Sequence, residues 1–176
     1  FETFKQTDTI FKVGVTHCES GNPHYFEPTK ANNLDDTDRM LRASSSLPFI
    51  SKVVEIEGEH YLDGGLCNSI PIDKSIADGN QKNVIVLTRN AGYRKHYSKN
   101  MHRLAKAYGK KYPEVVRCIA TRYQHYNQTL ESINQLEKEG SVFILRPELP
   151  LEVDRFEKDV DKLKVLFEQG YEQAIT

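Results

Sequence analysis

An aspartate that closes an apolar run and is followed by two glycines is the arrangement in this chain best suited to chemistry. It lies in Tyr61-Leu62-Asp63-Gly64-Gly65-Leu66-Cys67-Asn68-Ser69-Ile70-Pro71. A strand that stops at Asp63 projects the carboxylate from a sheet edge, and Gly64 and Gly65 permit positive φ and leave room for another backbone or a substrate. A carboxylate in that position can act as a general base toward a hydroxyl, and it does so better when partly withdrawn from water. Taken alone, the bare tripeptide reads as a plain hairpin turn with a structural role.

Other reactive groups are weaker candidates. Ser44, Ser45 and Ser46 form a run that His17 or His60 could in principle activate, but small residues at a helix end serve close packing and local hydrogen bonding, and no nucleophile-elbow pattern surrounds them. His60 precedes Asp63 by three residues, which on a strand places the two on opposite faces, and no second ligand pair has metal-site spacing. No metal and no cofactor are expected. Cys67 reads as a small buried thiol.

Between Arg89 and Lys111 stand Arg89, Arg94, Lys95, Lys99, Arg103, Lys106, Lys110 and Lys111, with no acidic residue among them. Such a stretch suits anionic headgroups or phosphates, with Arg89, Arg94 and Lys95 as candidate contacts, and it suits an ordinary solvated face equally. Interleaved Tyr93, Tyr97 and Tyr108 would also suit single-stranded nucleic acid, but nothing else in the sequence resembles a nucleic-acid fold, and no such partner is expected.

These residues need elements to hold them. Residues 10–17 read as a strand, closed by Ser20-Gly21-Asn22-Pro23 and paired in a hairpin with residues 24–27. Residues 35–45 read as a helix, with Leu34, Met40, Leu41 and Ala43 near helical spacing. Val53 to Ile56 and His60 to Leu62 flank a tight turn at Glu57-Gly58-Glu59. Pro71 opens a short helix that ends before Gly79. Asn83 to Thr88 has the continuous apolar character of a parallel strand covered on both faces. Residues 114–138 carry Val115, Val116, Ile119, Tyr123, Tyr126, Leu130, Ile133 and Leu136 at helical spacing, with Gly140 as the stop. Residues 141–145 form another strand, and residues 154–174 a last helix with Phe156, Val160, Leu163, Phe167 and Tyr171 on one face. Alternating strands and helices favour an α/β sheet with helical cover.

Composition narrows the classes. The 176 residues are enough for about one domain with a single core. With 24 basic and 25 acidic residues the net charge is -1 and the pI about 6.7, which argues against a generally basic nucleic-acid binder. An apolar share of 38% and a mean hydropathy of -0.60 are polar for a globular chain, yet nine Tyr and eight Phe exclude a disordered one. No membrane-spanning run or secretory leader is legible. Cys18, Cys67 and Cys118 are odd in number and lack a C-x-x-C pair, which points away from disulfides and toward a reducing, cytoplasmic setting, with the basic stretch allowing peripheral contact at a membrane.

Taken together, Arg42-Ala43-Ser44-Ser45-Ser46-Leu47-Pro48-Phe49, the turn-linked strands, and the Tyr61 to Pro71 segment resemble the second half of the patatin-like phospholipase family, in particular its bacterial members. Thr88-Arg89, Gly92-Tyr93-Arg94-Lys95, Lys111-Tyr112-Pro113, Arg122-Tyr123, Tyr126-Asn127 and Arg146-Pro147 extend the resemblance over residues 1–176. It implies a three-layer α/β-hydrolase-like sheet with helices on both faces, present as the carboxy-terminal portion of one patatin-like domain. It also implies a lipid acyl ester hydrolase with a Ser-Asp dyad, in which Asp63 is the acidic member and Gly64 and Gly65 complete its motif. No serine lies in G-x-S-x-G and no oxyanion-type glycine-rich loop is present, so this chain is expected to be silent alone. The implied partners are a lipid or ester substrate, an anionic membrane surface, and a second copy or an upstream portion covering exposed sheet surface. The competing reading is a non-enzymatic module that binds anionic lipid or phosphate through its basic stretch.

Overall fold

A computed structural model describes residues 3, 6, 8–153 and 157–175, the side chain of Ala107 excepted. In chain order the elements are β1 (Val13–His17), β2 (Pro23–Phe26), α1 (Leu34–Ser44), β3 (Val54–Ile56), β4 (Glu59–Asp63), α2 (Ile72–Ala77), β5 (Asn83–Val86), α3 (Lys99–Ala105), α4 (Pro113–Lys138), β6 (Val142–Leu145) and α5 (Val160–Ile175). Helices and strands are mixed in an α/β arrangement. The chain divides into two compact units, residues 1–71 with 96–129 and residues 72–95 with 130–176.

The first unit holds a four-stranded antiparallel sheet in the order β2-β1-β4-β3. The β3–β4 hairpin turns on Glu57 at φ 54° and Gly58 at φ 83°. This left-handed pair matches the twist of the flanking strands. Pleating sends successive side chains to opposite faces. On one face Val13, Val15, Val54, Ile56 and Tyr61 pack with Ala43 of α1, supported by Phe26 and Met40. On the other, Cys18, Leu62 and Leu66 pack with Tyr112, Val115 and Cys118 at the start of α4. This sheet therefore has helical cover on both faces. Fully burying a side chain such as Leu62 contributes about 2 kcal/mol.

Helix α1 begins where Asn33 Oδ1 accepts from the Asp36 amide (2.9 Å). Asp35 and Asp36 in its first turn and Arg42 in its last complement the helix dipole. Its inward stripe is narrower than the spacing of its apolar residues suggests. Thr37 and Ala43 are buried, whereas Leu34 and Leu41 are exposed. Helix α3, started by Ser98 Oγ accepting from Met101 N, has no counterpart in the sequence reading.

In the second unit β5 and β6 pair in parallel, with Val84 opposite Phe143 and Ile85 opposite Ile144. Residues 83–88 were expected to be covered on both faces, and here the structure differs. Val84, Val86 and Phe143 are 69%, 72% and 61% exposed, while Val142 and Ile144 on the opposite face are buried. A two-stranded ribbon can bury one face and expose the other, and an apolar run reads the same whether one face or two are covered. Gly79 at φ 94° ends the turn after α2, its N–H donating to Ile76 O (2.9 Å). On α5, Val160, Leu163, Phe167 and Tyr171 are all exposed. Phe156, assigned to the same face from sequence, lies outside the described residues. No helix among the described residues is long and apolar enough to cross a membrane.

Candidate active site

Asp63 is the last residue of β4 and stands opposite Val15 of β1. Its backbone is held on both sides: the amide donates to Ser46 O (3.0 Å), and the carbonyl accepts from the wholly buried Thr16 hydroxyl (2.9 Å). The side chain is half-buried, and Oδ1 accepts from Gly65 N at 2.7 Å. That bond caps the 3-10 turn Gly64–Leu66, which follows the strand directly. Asp63-Gly64-Gly65 is therefore not the hairpin turn; the hairpin uses Glu57 and Gly58. A carboxylate held by a backbone amide gains a defined direction.

Gly64 and Gly65 were expected to supply positive φ, and neither does. Space explains them. A Cβ on Gly64 would lie 2.5 Å from the Gly14 carbonyl oxygen, and one on Gly65 would lie 3.0 Å from Asp63 Oδ1. The first glycine lets the turn pack on the backbone of β1, and the second keeps a methyl group off the carboxylate.

Arg122 of α4 donates from Nε to Gly65 O at 2.6 Å, and Ser69 Oγ donates to the same oxygen at 2.8 Å. Asn68 Nδ2 donates to the Tyr25 hydroxyl at 3.1 Å. The loop after Asp63 is thus tied to a helix and to β2. Arg122 and Thr16 had no assigned role in the sequence, because their partners lie far away along the chain.

The serine run has structural work of its own. Ser44 Oγ donates to Gly14 O (2.8 Å), Ser45 Oγ lies within bonding distance of Leu41 O and Arg42 O, and Ser46 Oγ donates to Arg42 O (2.7 Å). Phe49, at φ 70°, is held by its amide donating to the Tyr108 hydroxyl (3.1 Å) and by an edge-on ring contact with Tyr108. The three cysteines are free thiols. Burial pushes Cys18 up to about 12 and Cys118 up to about 11, and it also raises Cys67, whose sulfur receives the Thr16 hydroxyl at 3.1 Å.

The basic stretch falls in both units. Arg89, Arg94 and Lys95 belong to the second and are half-buried: the Arg89 guanidinium lies 5.1 Å from the Tyr93 ring centroid, and Arg94 donates to Tyr93 O (2.9 Å). Lys99, Arg103, Lys106, Lys110 and Lys111 belong to the first and are exposed. Tyr97, Met101 and Leu104 are exposed beside them.

Residues 9–76 match the family described as Patatin-like phospholipase, and residues 112–176 match one described as Domain of unknown function (DUF6363). Asp63 falls within the first segment and Arg122 within the second. The chain is also similar to the Uncharacterized protein YjjU of Escherichia coli (strain K12), with 42% identity over 67 residues, 38% of this chain and 18% of that protein. The chain thus matches less than a fifth of the length of this curated relative.

Proposed function

We propose, from the premise that residues 9–76 belong to the patatin-like phospholipase family, that this chain supplies Asp63 as the base of a Ser-Asp dyad in a lipid acyl hydrolase. One observation carries the proposal. The Asp63 carboxylate sits half-buried at a strand end, aimed by Gly65 N at 2.7 Å, on a backbone pinned through Ser46 and Thr16. With Oδ1 held by the amide, Oδ2 is the atom that a hydroxyl addresses.

In this reading the serine oxygen attacks the ester carbonyl carbon while its proton passes to Asp63. The tetrahedral intermediate then expels the alcohol oxygen, which takes that proton from Asp63. Water attacks the acyl-serine by the same route, releasing the fatty acid and restoring the serine. Backbone amides would hold the developing oxyanion. The 176 residues contain no G-x-S-x-G and no glycine-rich oxyanion loop, so the serine and the oxyanion donors come from residues other than these, and the chain alone is inactive.

The exposed cations of residues 99–111 stand beside exposed Tyr97, Met101 and Leu104, a combination that suits an anionic lipid surface. Free thiols suit a reducing compartment, and the proposed setting is cytoplasmic with peripheral membrane contact.

The test is covalent labelling of the full gene product with a fluorophosphonate, which reacts only with an activated serine. The reading expects one labelled serine outside these 176 residues and none on this chain alone. Absence of labelling in the folded gene product would favour the binding-module alternative, and labelling within these residues would overturn the placement of the nucleophile.

A further inference from the structure

We propose that His17, Glu19 and Glu59 bind a divalent transition-metal ion of the zinc class, at the end of β4 opposite to Asp63. Among the described residues this trio has one donor atom each within 4.8 Å of one another. Glu59 opens β4 and Asp63 closes it, so the two Cα atoms are about 13 Å apart at 3.3 Å per residue. The trio is separate from the proposed acyl-transfer centre.

Strand register assembles it. His17 ends β1 opposite Tyr61, which brings Glu59, two residues earlier on β4, alongside the imidazole. The chain then turns back, with Gly21 N donating to His17 O (2.8 Å) and Cys18 N donating to His60 O (2.8 Å), and this places Glu19 on the same side. His17 Nε2 lies 2.8 Å from Glu59 Oε2 and 3.2 Å from Glu19 Oε2. A tetrahedral ion about 2.0 Å from each donor separates its donors by about 3.3 Å, close to the two distances measured from His17.

The surroundings resemble the outer layer of a metal centre. Ser20 Oγ lies 2.8 Å from His17 Nδ1, fixing the ring, and His60 Nδ1 lies 2.7 Å from Glu19 Oε1, fixing the carboxylate through its other oxygen. The His17 ring also rests against Tyr61 at 5.5 Å between centroids. Charge points the same way. Glu55, Glu57 and Glu59 gather with Glu19, beside the imidazoles of His17 and His60 and within the field of Lys111. A dication balances this excess. The side chains of His17, Glu19 and Glu59 are 23%, 39% and 55% exposed, so the ion is reached from solvent and keeps a position for water. One imidazole with two carboxylates suits zinc or cobalt better than magnesium, which prefers an all-oxygen octahedron.

The experiment titrates the chelator-stripped full gene product with Zn2+ by calorimetry and with Co2+ by its visible absorption, and follows melting with Zn2+ or Mg2+ present. One saturable Zn2+ site, and a rise in Tm with Zn2+ that Mg2+ does not give, are expected. His17→Gln and Glu59→Gln, which keep side-chain shape, should each weaken Zn2+ at least about tenfold, while Glu55→Gln should not. If either variant fails to fold, the cobalt spectrum of the parent decides, since a nitrogen ligand is expected in it. No saturable binding, binding untouched by both substitutions, or a cobalt spectrum of oxygen ligands alone would overturn the site and leave an imidazole–carboxylate cluster in its place.

Discussion

Arg122 and Gly65, 57 residues apart in the chain, are joined by a 2.6 Å hydrogen bond from Nε to the carbonyl oxygen. The amide of that same glycine holds Asp63 Oδ1 at 2.7 Å. One peptide segment thus connects a helix in the region matching the uncharacterised family to the carboxylate in the region matching the phospholipase family.

Under the proposed dyad, Arg122 is a positioning residue for Asp63. In the full gene product Arg122→Ala should lower kcat for a short p-nitrophenyl ester by about tenfold or more with KM nearly unchanged, because the aim of the base is lost and no substrate contact is removed. Arg122→Lys, which retains a cation without the planar fork, should recover part of the loss. A variant that only melts earlier, with kcat unchanged in its folded fraction, would reduce Arg122 to scaffolding.

Gly64 should tolerate no side chain. A methyl group there meets the Gly14 carbonyl oxygen at 2.5 Å, and that backbone lies within the sheet and cannot swing aside. Gly64→Ala should cost about 3 kcal/mol, read as a lower urea midpoint. Gly58→Ala, with nothing within 4 Å but a φ of +83°, should cost about 1 kcal/mol. Equal costs would contradict the crowding argument.

The buried thiols impose an alkaline limit. Cys18 at about 12 and Cys118 at about 11 stay neutral in the fold, whereas in the unfolded chain each ionises near 9.0. The folded values are raised, so their stabilising contribution is complete below pH 9 and is lost as pH climbs toward the folded values. Urea unfolding should show stability falling above pH 9, with a shallower fall in Cys118→Ala. Rapid alkylation of Cys18 and Cys118 in the native protein at pH 8 would contradict this.

Lipid-surface contact should depend on the exposed cations. Lys106→Glu with Lys110→Glu should weaken binding to phosphatidylserine vesicles at low salt more than Arg94→Glu with Lys95→Glu, because Arg94 and Lys95 are half-buried. Binding unchanged by both pairs would make the stretch an ordinary solvated face.

What was legible in the sequence was local. Glu57-Gly58 announces a hairpin because that turn needs left-handed residues, and the stripe from Val115 to Ile133 announces a long helix because its period is helical. The placement of Asp63 at a strand end followed from the apolar run before it. Features set by long-range register were not legible. The need for glycine at residue 64 comes from Gly14, the tie on Gly65 comes from Arg122, and Glu59 reaches His17 only because Tyr61 pairs with it. Helix α3 is not legible because Lys99 to Ala105 spans only seven residues and its apolar set is limited to Met101, Leu104 and Ala105. The exposure of Val84 and Val86 was missed because alternation, the sign of a half-covered strand, is absent from Asn83-Val84-Ile85-Val86.

Asp63→Asn in the full gene product tests the central claim most directly. Asparagine caps a helical turn about as well as aspartate, so Gly64–Leu66 and the melting temperature should survive while the base is removed. The account predicts that kcat/KM for a short p-nitrophenyl ester falls by about 10² to 10⁴ in the folded variant. Turnover at the unsubstituted rate by folded protein would contradict it.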